Sequence, residues 1–225
     1  LENMMKIALV GYGKMGHLIE DVLRRRGIEC AGATEDVASF DDAVAKDCVC
    51  IDFTTPEAFR ANYPVLAKKF KAVVVGTTGW YDIKDEVIAC FEKAGTTMIW
   101  SSNYSIGVLA LFAAVEKVSG ILRDKGYVPD IHEIHHIHKL DSPSGTAKSL
   151  ASIVEEGMGV EPEISAERIG EVPGTHSVSF LSSCDRLTFT HEAFSREGFA
   201  QGAVTAALMT EGLEGVHEFK NLILE

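Results

Sequence analysis

The chain has 225 residues, a formal net charge of −12, 46% hydrophobic and 24% charged residues. That length gives one or two domains with a real core, and the composition excludes a disordered, collagenous or repeat-dominated chain. The acidic balance excludes a nucleic-acid sleeve and a basic membrane-surface protein, because both must present Lys and Arg to phosphate.

Lys6–Val10 reads as a buried strand and leads into Gly11-Tyr12-Gly13-Lys14-Met15-Gly16. Met15, Leu18, Ile19, Val22 and Leu23 then recur at helical spacing until Gly27. Further strands are expected at Ile28–Ala33, at Val49–Phe53 led by Cys48, at Ala72–Val75 and at Thr97–Trp100. Helices are expected from Pro56 to about Phe70 and over Asp82–Ala94. Short apolar strands between helices imply a parallel sheet covered on both faces, a doubly wound α/β (Rossmann) fold. After Ser105 the pattern changes. A long apolar helix is expected over Leu109–Leu122, then a His-rich strand passing into a loop, then a helix from about Gly145 to Glu156. Strand-like runs at Ile164–Ile169, His176–Leu181 and Arg186–Thr190 suggest antiparallel hairpins, before a last helix over Gly198–Leu213. The expected organisation is a dinucleotide domain of residues 5–104 and 200–225, with an α+β domain of residues 105–199 inserted.

No apolar run reaches the roughly 18 residues of a membrane span and no signal-peptide pattern opens the chain, so a cytoplasmic protein without a membrane partner is expected. Leu1-Glu2-Asn3, ahead of two methionines, is set aside from the fold reading. Cys30, Cys48, Cys50, Cys90 and Cys184 show no C-x-x-C spacing and are expected to be reduced, buried thiols.

Gly11, Gly13 and Gly16 form G-x-G-x-x-G between a strand and a helix. There the first glycine permits a tight turn, the second admits a pyrophosphate, and the third lets helix and strand pack. Gly11, Tyr12, Gly13, Lys14 and Met15 are therefore the candidate phosphate cradle of a dinucleotide. Glu35, followed by Asp36, stands where an acid would accept from the ribose hydroxyls. Two acids would repel a 2′-phosphate, which favours NADH over NADPH. Gly76-Thr77-Thr78-Gly79 and Ser101-Ser102-Asn103-Tyr104 follow the fourth and fifth strands, where ligands of parallel sheets bind. Gly76, Thr77, Thr78, Ser101, Ser102, Asn103 and Tyr104 join the cofactor set on that ground.

His132-Glu133-Ile134-His135-His136-Ile137-His138-Lys139 admits three readings. H-E-I-H-H matches a zinc motif literally, but that motif needs a helix and this segment reads as a strand, so no metal is expected. The histidines could simply line a strand edge. Alternatively, His135, Ile137 and Lys139 share one face of a strand, and an imidazole and an ammonium project together for acid–base work on an anionic substrate. Asp141 or Ser142 is expected to cap the next helix with Pro143 in its first turn. Ser144, Gly145 and Thr146 then offer backbone N–H groups and hydroxyls to a carboxylate.

On these residues the chain resembles, over nearly its whole length, the 4-hydroxy-tetrahydrodipicolinate (dihydrodipicolinate) reductases of lysine and diaminopimelate biosynthesis. Glu133-Ile134-His135-His136-Ile137-His138-Lys139-Leu140-Asp141-Ser142-Pro143-Ser144-Gly145-Thr146-Ala147 is similar to that family's E-x-H-H-x-x-K-x-D-x-P-S-G-T-A. Asp52-Phe53-Thr54, Gly76-Thr77-Thr78-Gly79, Asn103-Tyr104-Ser105-Ile106-Gly107-Val108 and Ser195-Arg196-x-x-Phe199-Ala200-x-Gly202-Ala203 support it. The resemblance implies an NADH- or NADPH-dependent reductase of a cyclic imine dicarboxylate. It implies His135 as general acid/base, Lys139 as proton donor, and His136, Gly145 and Thr146 as substrate ligands. It also implies a cytoplasmic homotetramer assembled through the second domain's sheet. The glycine loop is a residue shorter than the family's usual G-x-x-G-x-M-G, Tyr104 stands where Phe is common, and the chain is short before Asp52 and in the second domain.

Overall fold

The computed structural model describes residues 5–224; the Leu1-Glu2-Asn3 segment and the final Glu225 lie outside them. The chain divides into two units, one running up to Ser105 and resuming at Glu197, the other Ile106–Arg196.

The first unit runs β1 (Lys6–Val10), α1 (Lys14–Arg26), β2 (Glu29–Thr34), α2 (Asp42–Ala45), β3 (Cys48–Asp52), α3 (Pro56–Lys69), β4 (Ala72–Val75), α4 (Lys84–Ala94) and β5 (Thr97–Trp100). The second holds α5 (Ile106–Leu122), β6 (Val128–His135), α6 (Gly145–Met158), β7 (Glu163–Arg168), β8 (Gly174–Leu181) and β9 (Arg186–Ala193). The chain then returns to the first unit as α7 (Glu197–Met209), β10 (Val216–Glu218) and α8 (Phe219–Leu224).

The first unit's six strands are all parallel, in the order β10-β5-β4-β3-β1-β2. Every residue of β3, β4 and β5 is buried, which is why these strands are apolar throughout rather than alternating. Phe59, Leu66, Trp80, Val87 and Phe91 fill one side of the sheet. On the other side α7 is built from small residues, and Gly202 lets it come close: a Cβ there would lie 1.7 Å from the Tyr104 carbonyl oxygen. Strand order reverses at β1, whose neighbours are β2 and β3, so a crevice opens at the carboxyl ends of β1 and β3.

The second unit is a four-stranded sheet in the order β7-β6-β8-β9 with α5 and α6 packed on it. The β8–β9 hairpin is antiparallel as expected, but β7 is not part of a hairpin. It runs parallel to β6 as an edge strand, because α6 carries the chain back across before β7 begins. The inward face of β6 is Pro129, Ile131, Glu133 and His135, alternating with exposed or half-buried neighbours.

Three other expectations change. The His-rich strand ends at His135, so Ile137 and Lys139 do not share its face by alternation. A turn in which the Lys139 N–H donates to the His136 carbonyl brings the lysine round instead. The cap of α6 is Ser144, not Asp141 or Ser142: its hydroxyl accepts from the Ala147 N–H at 3.2 Å. The last long helix stops at Met209, a left-handed Gly212 (φ +74°) turns the chain, and β10 and α8 follow. Among the cysteines, Cys48 and Cys50 are buried, Cys30 and Cys90 are half-buried, and Cys184 is exposed.

Candidate functional site

In the first unit the crevice is built by backbone. Gly11 follows β1 with φ +89°, and a Cβ on it would lie 2.1 Å from the Phe53 carbonyl oxygen, so only glycine fits between the ends of β2 and β3. Gly16 likewise leaves room for the Gly11 carbonyl, 2.5 Å from where its Cβ would be. Gly13 differs. It caps α1 without a side-chain hydrogen bond, and a Cβ there meets nothing within 4 Å. The first amides of α1 thus open onto free space, a cradle that fits a pyrophosphate. Tyr12 turns away from it, its hydroxyl bonding Glu20 and its ring packing on His17, while Lys14 is exposed and Met15 half-buried.

Beyond β2, Glu35 is exposed, and the adjacent Asp36 caps a short 3₁₀ turn by accepting from the Ala38 N–H at 3.1 Å. After β4, Gly76 and the exposed Thr78 flank Thr77, which is buried. The Thr77 hydroxyl accepts from the Thr54 N–H at 2.7 Å and donates to Asp52 Oδ2 at 2.6 Å. Asp52 Oδ1 accepts from the Thr54 hydroxyl at 3.0 Å. After β5, Ser101 Oγ donates to the Asn103 carbonyl, Asn103 Oδ1 accepts from the Ser105 N–H, and Ser102 is exposed. Tyr104 is buried, its hydroxyl donating to the Val75 and Ile99 carbonyls at 2.8 and 3.1 Å, so that group is committed to the core.

Asp52 is fully buried, and burial pushes its carboxyl up to about 7 against the pull of the Thr77 and Thr54 hydroxyls. The native state holds that proton to about pH 7, whereas an unfolded chain releases it near the ordinary 3.8. The stability this group contributes therefore falls as pH rises across that window, by on the order of 4 kcal/mol. Asp52→Asn is expected to lose this slope in denaturant titrations run at about pH 5 and about pH 8. A slope as steep as the parent's would assign it to other groups.

The second unit gathers charge under the head of α6. Glu133 is fully buried. Its Oε1 accepts from the Ser144 N–H at 3.0 Å and from Arg168 Nη2 at 3.3 Å. Its Oε2 lies 3.4 Å from His135 Nδ1 and 3.5 Å from His176 Nε2. Strand register makes this cluster, since Glu133 sits opposite His176 on β8 and His135 beside Arg168 on β7. Ser144 Oγ bonds His176 Nε2 at 3.1 Å, and Arg168 Nη2 donates to the Asp141 carbonyl at 2.6 Å. Lys139 Nζ donates to Asp141 Oδ1 at 2.8 Å. An unbroken series of contacts thus joins Lys139, Asp141, Arg168, Glu133 and His135 with the cap of α6.

Burial pulls the His135 imidazole below its ordinary value, with Glu133 pulling back and Lys139 and Arg168 adding to the fall. His176 drops to about 4 because of burial and the neighbouring His135. Burial alone would raise the Glu133 carboxyl, but Ser144, His135 and Arg168 outweigh it and hold it low. The Lys139 ammonium, helped by the Gly145 amide, holds Asp141 low as well. In the free chain Asp141 thus faces both the Lys139 ammonium and the Gly145 amide.

Gly145 is exposed with open space above its α-carbon, Thr146 is half-buried, and the buried Ser144 hydroxyl is occupied by the cap and His176. His136 is half-buried. The H-E-x-x-H pair does not converge: His132 faces the other side of the strand, bonded to Ser165 and close to Glu167, while His136 lies beyond the strand's end. Glu133, His135 and His176 do bring donor atoms within 4.8 Å of one another. However, the Arg168 guanidinium already sits on that carboxylate and would oppose a cation.

A family model described as dihydrodipicolinate reductase, N-terminus, matches residues 5–104, and its C-terminal counterpart matches residues 107–223. The chain belongs to the dihydrodipicolinate reductase family. The 4-hydroxy-tetrahydrodipicolinate reductase of Christiangramia forsetii is 38% identical over 97% of this chain and 98% of its own length. That of Ralstonia nicotianae is 33% identical over 97% and 99%. Among solved structures, the dipicolinate-bound dihydrodipicolinate reductase of Paenisporosarcina sp. TG-14 shares the fold, with a TM-score of 0.77 at 20% identity over 97% of this chain and 99% of that one. Membership in this family brings a nicotinamide cofactor, which the open head of α1 fits.

Gly13→Val is accordingly expected to cost only about 1 kcal/mol of stability, the loss of a favourable N-cap residue, since a Cβ there meets no protein atom within 4 Å. NADH affinity is expected to fall about tenfold or more, the worth of one charge-assisted hydrogen bond. Fluorescence titration checks this; unchanged affinity would move the phosphates elsewhere.

The sequence points to no role for Asp52, Arg168 or His176, and to Glu133 only through the zinc motif set aside above. Glu133 was within reach, because the apolar inward position Ile131 places it two residues along the same face. His176 and Arg168 needed the strand register.

Proposed function

We propose that this chain reduces 4-hydroxy-tetrahydrodipicolinate to tetrahydrodipicolinate, using NADH in preference to NADPH. The reading is carried by one observation: His135, Lys139 and the head of α6 are tied together through Glu133, Arg168 and Asp141.

Replacing the ring hydroxyl by hydrogen takes one hydride and one proton and releases water. The bound nicotinamide supplies the hydride. The amides of Gly145 and Thr146 receive a substrate carboxylate where Asp141 leans in the free chain, and His136 gives a further contact. Lys139 leaves Asp141 to neutralise the anion and deliver a proton, and His135 carries protons to and from the ring. Gly11 to Met15, Glu35, Gly76 to Thr78 and Ser101 to Tyr104 form the cofactor side, with Tyr104 acting from the core. The substrate side is the second unit, whose sheet is also the surface for a cytoplasmic homotetramer. Glu35 and Asp36 would repel a 2′-phosphate. No helix among the described residues is long and apolar enough to cross a membrane.

Oxidation of NADH and NADPH with freshly generated substrate, run beside a panel of other small imino acids, tests this. Turnover only with another imino acid would overturn the substrate, and a higher kcat/KM with NADPH would overturn the cofactor preference.

A further inference from the structure

Resting on the reading of His135 as the acid–base group, we infer that Glu133 is its positioning residue, fixing the imidazole with Nδ1 protonated and Nε2 as the reactive nitrogen. Three observations support this. First, Glu133 Oε2 and His135 Nδ1 lie 3.4 Å apart, both are buried, and neither makes a hydrogen bond elsewhere; the carboxylate oxygen is the acceptor the ring nitrogen faces, with His176 Nε2 at 3.5 Å on that oxygen's other side. A neutral imidazole has one N–H, and the charge of a buried carboxylate draws that hydrogen to the nitrogen facing it.

Second, the opposite edge of the ring has been kept clear. A Cβ on Gly174 would lie 3.0 Å from His135 Nε2 and 3.2 Å from Cδ2, so glycine is what leaves that nitrogen room. The two nitrogens thus have different surroundings, a carboxylate on one and a bare α-carbon on the other.

Third, the carboxylate cannot swing away. Its other oxygen is held by the Ser144 N–H at the head of α6 and by Arg168 Nη2. The same helix end that receives the substrate carboxylate therefore anchors the group that orients the base. The other charged or titratable groups facing His135 are Lys139 from the turn, Arg168 from β7, His136 and His176. Lys139 and Arg168 are donors only, and no hydrogen bond joins His136 to the His135 Nδ1. His176, which meets the ring edge-on at 4.9 Å between centroids, itself leans on Glu133 Oε2.

The test is the tautomer, read by long-range ¹⁵N–¹H correlation on the full chain labelled at histidine, with His135 assigned by the loss of its signals in His135→Gln. The parent is expected to show neutral His135 protonated at Nδ1. Glu133→Gln is expected to shift it towards Nε2 protonation and to lower kcat about 10²-fold with a smaller change in KM. Parent His135 protonated at Nε2 overturns the inference, even if Glu133→Gln fails to fold. So does a Glu133→Gln chain with the parent's tautomer and turnover. The spectrum needs no substrate. A parent chain that fails to turn over 4-hydroxy-tetrahydrodipicolinate would therefore sink the proposed reaction and leave the orientation of His135 measurable.

Discussion

His135→Gln is expected to lower kcat by about 10²–10⁴-fold while KM moves much less, the range general acid–base catalysis supplies. Gln keeps polar atoms of similar reach but cannot exchange a proton near neutral pH. The ring it replaces sits at the end of β6 against Glu133, and burial keeps it uncharged at neutral pH. It is thus ready to accept a proton and, once charged, is stabilised by the carboxylate behind it. In the proposed reading the substrate diacid is held by Lys139 and the head of α6, so affinity should largely survive. Steady-state oxidation of NADH at several substrate concentrations separates the two constants. Unchanged turnover would remove His135 from the mechanism.

Lys139→Met is expected to damage both constants, lowering kcat/KM about 10- to 100-fold or more, because a charged hydrogen bond of about 1.5–3 kcal/mol disappears along with a proton source. Its control is Asp141→Asn. In the free chain Asp141 occupies the ammonium at 2.8 Å, and in the proposed reading a substrate carboxylate takes its place. Removing that competitor's charge should lower KM, so the two variants move KM in opposite directions. Normal kinetics in Lys139→Met would make the lysine purely structural. A raised KM in Asp141→Asn would mean that Asp141 orients Lys139 rather than competing for it.

The doubly wound unit was legible because its physics is local. Uninterrupted apolar runs such as Ala72–Val75 have to be strands buried on both faces, and glycines at 11, 13 and 16 have to be a turn. The edge of the sheet was not legible, since β10 is three half-buried residues, too short to show a period. In the second unit, alternation carried β6 as far as His135 and then misled, because a strand's rule was extended into a turn. The residues behind the site were hidden for a different reason. A glutamate in a strand reads as solvent-facing; alternation from Ile131 points Glu133 inward, but only its opposition to His176 across β6 and β8 shows which groups meet its carboxylate. Asp52 was visible as part of a motif, but its burial depends on two threonines, one of them 25 residues away on the next strand's loop.

Asp52 and His176 set the two lobes at odds over acidity. Asp52 keeps a proton to about pH 7 that an unfolded chain gives up far sooner, so the nucleotide lobe is most robust in mild acid. His176 refuses a proton until about pH 4 that an unfolded chain takes near 6.5, so its contribution to the second unit is lost over that descent and is full on the alkaline side. From about pH 4 to about 6.5 these two groups pull in opposite directions, so the pH slope that either would impose alone is largely offset by the other.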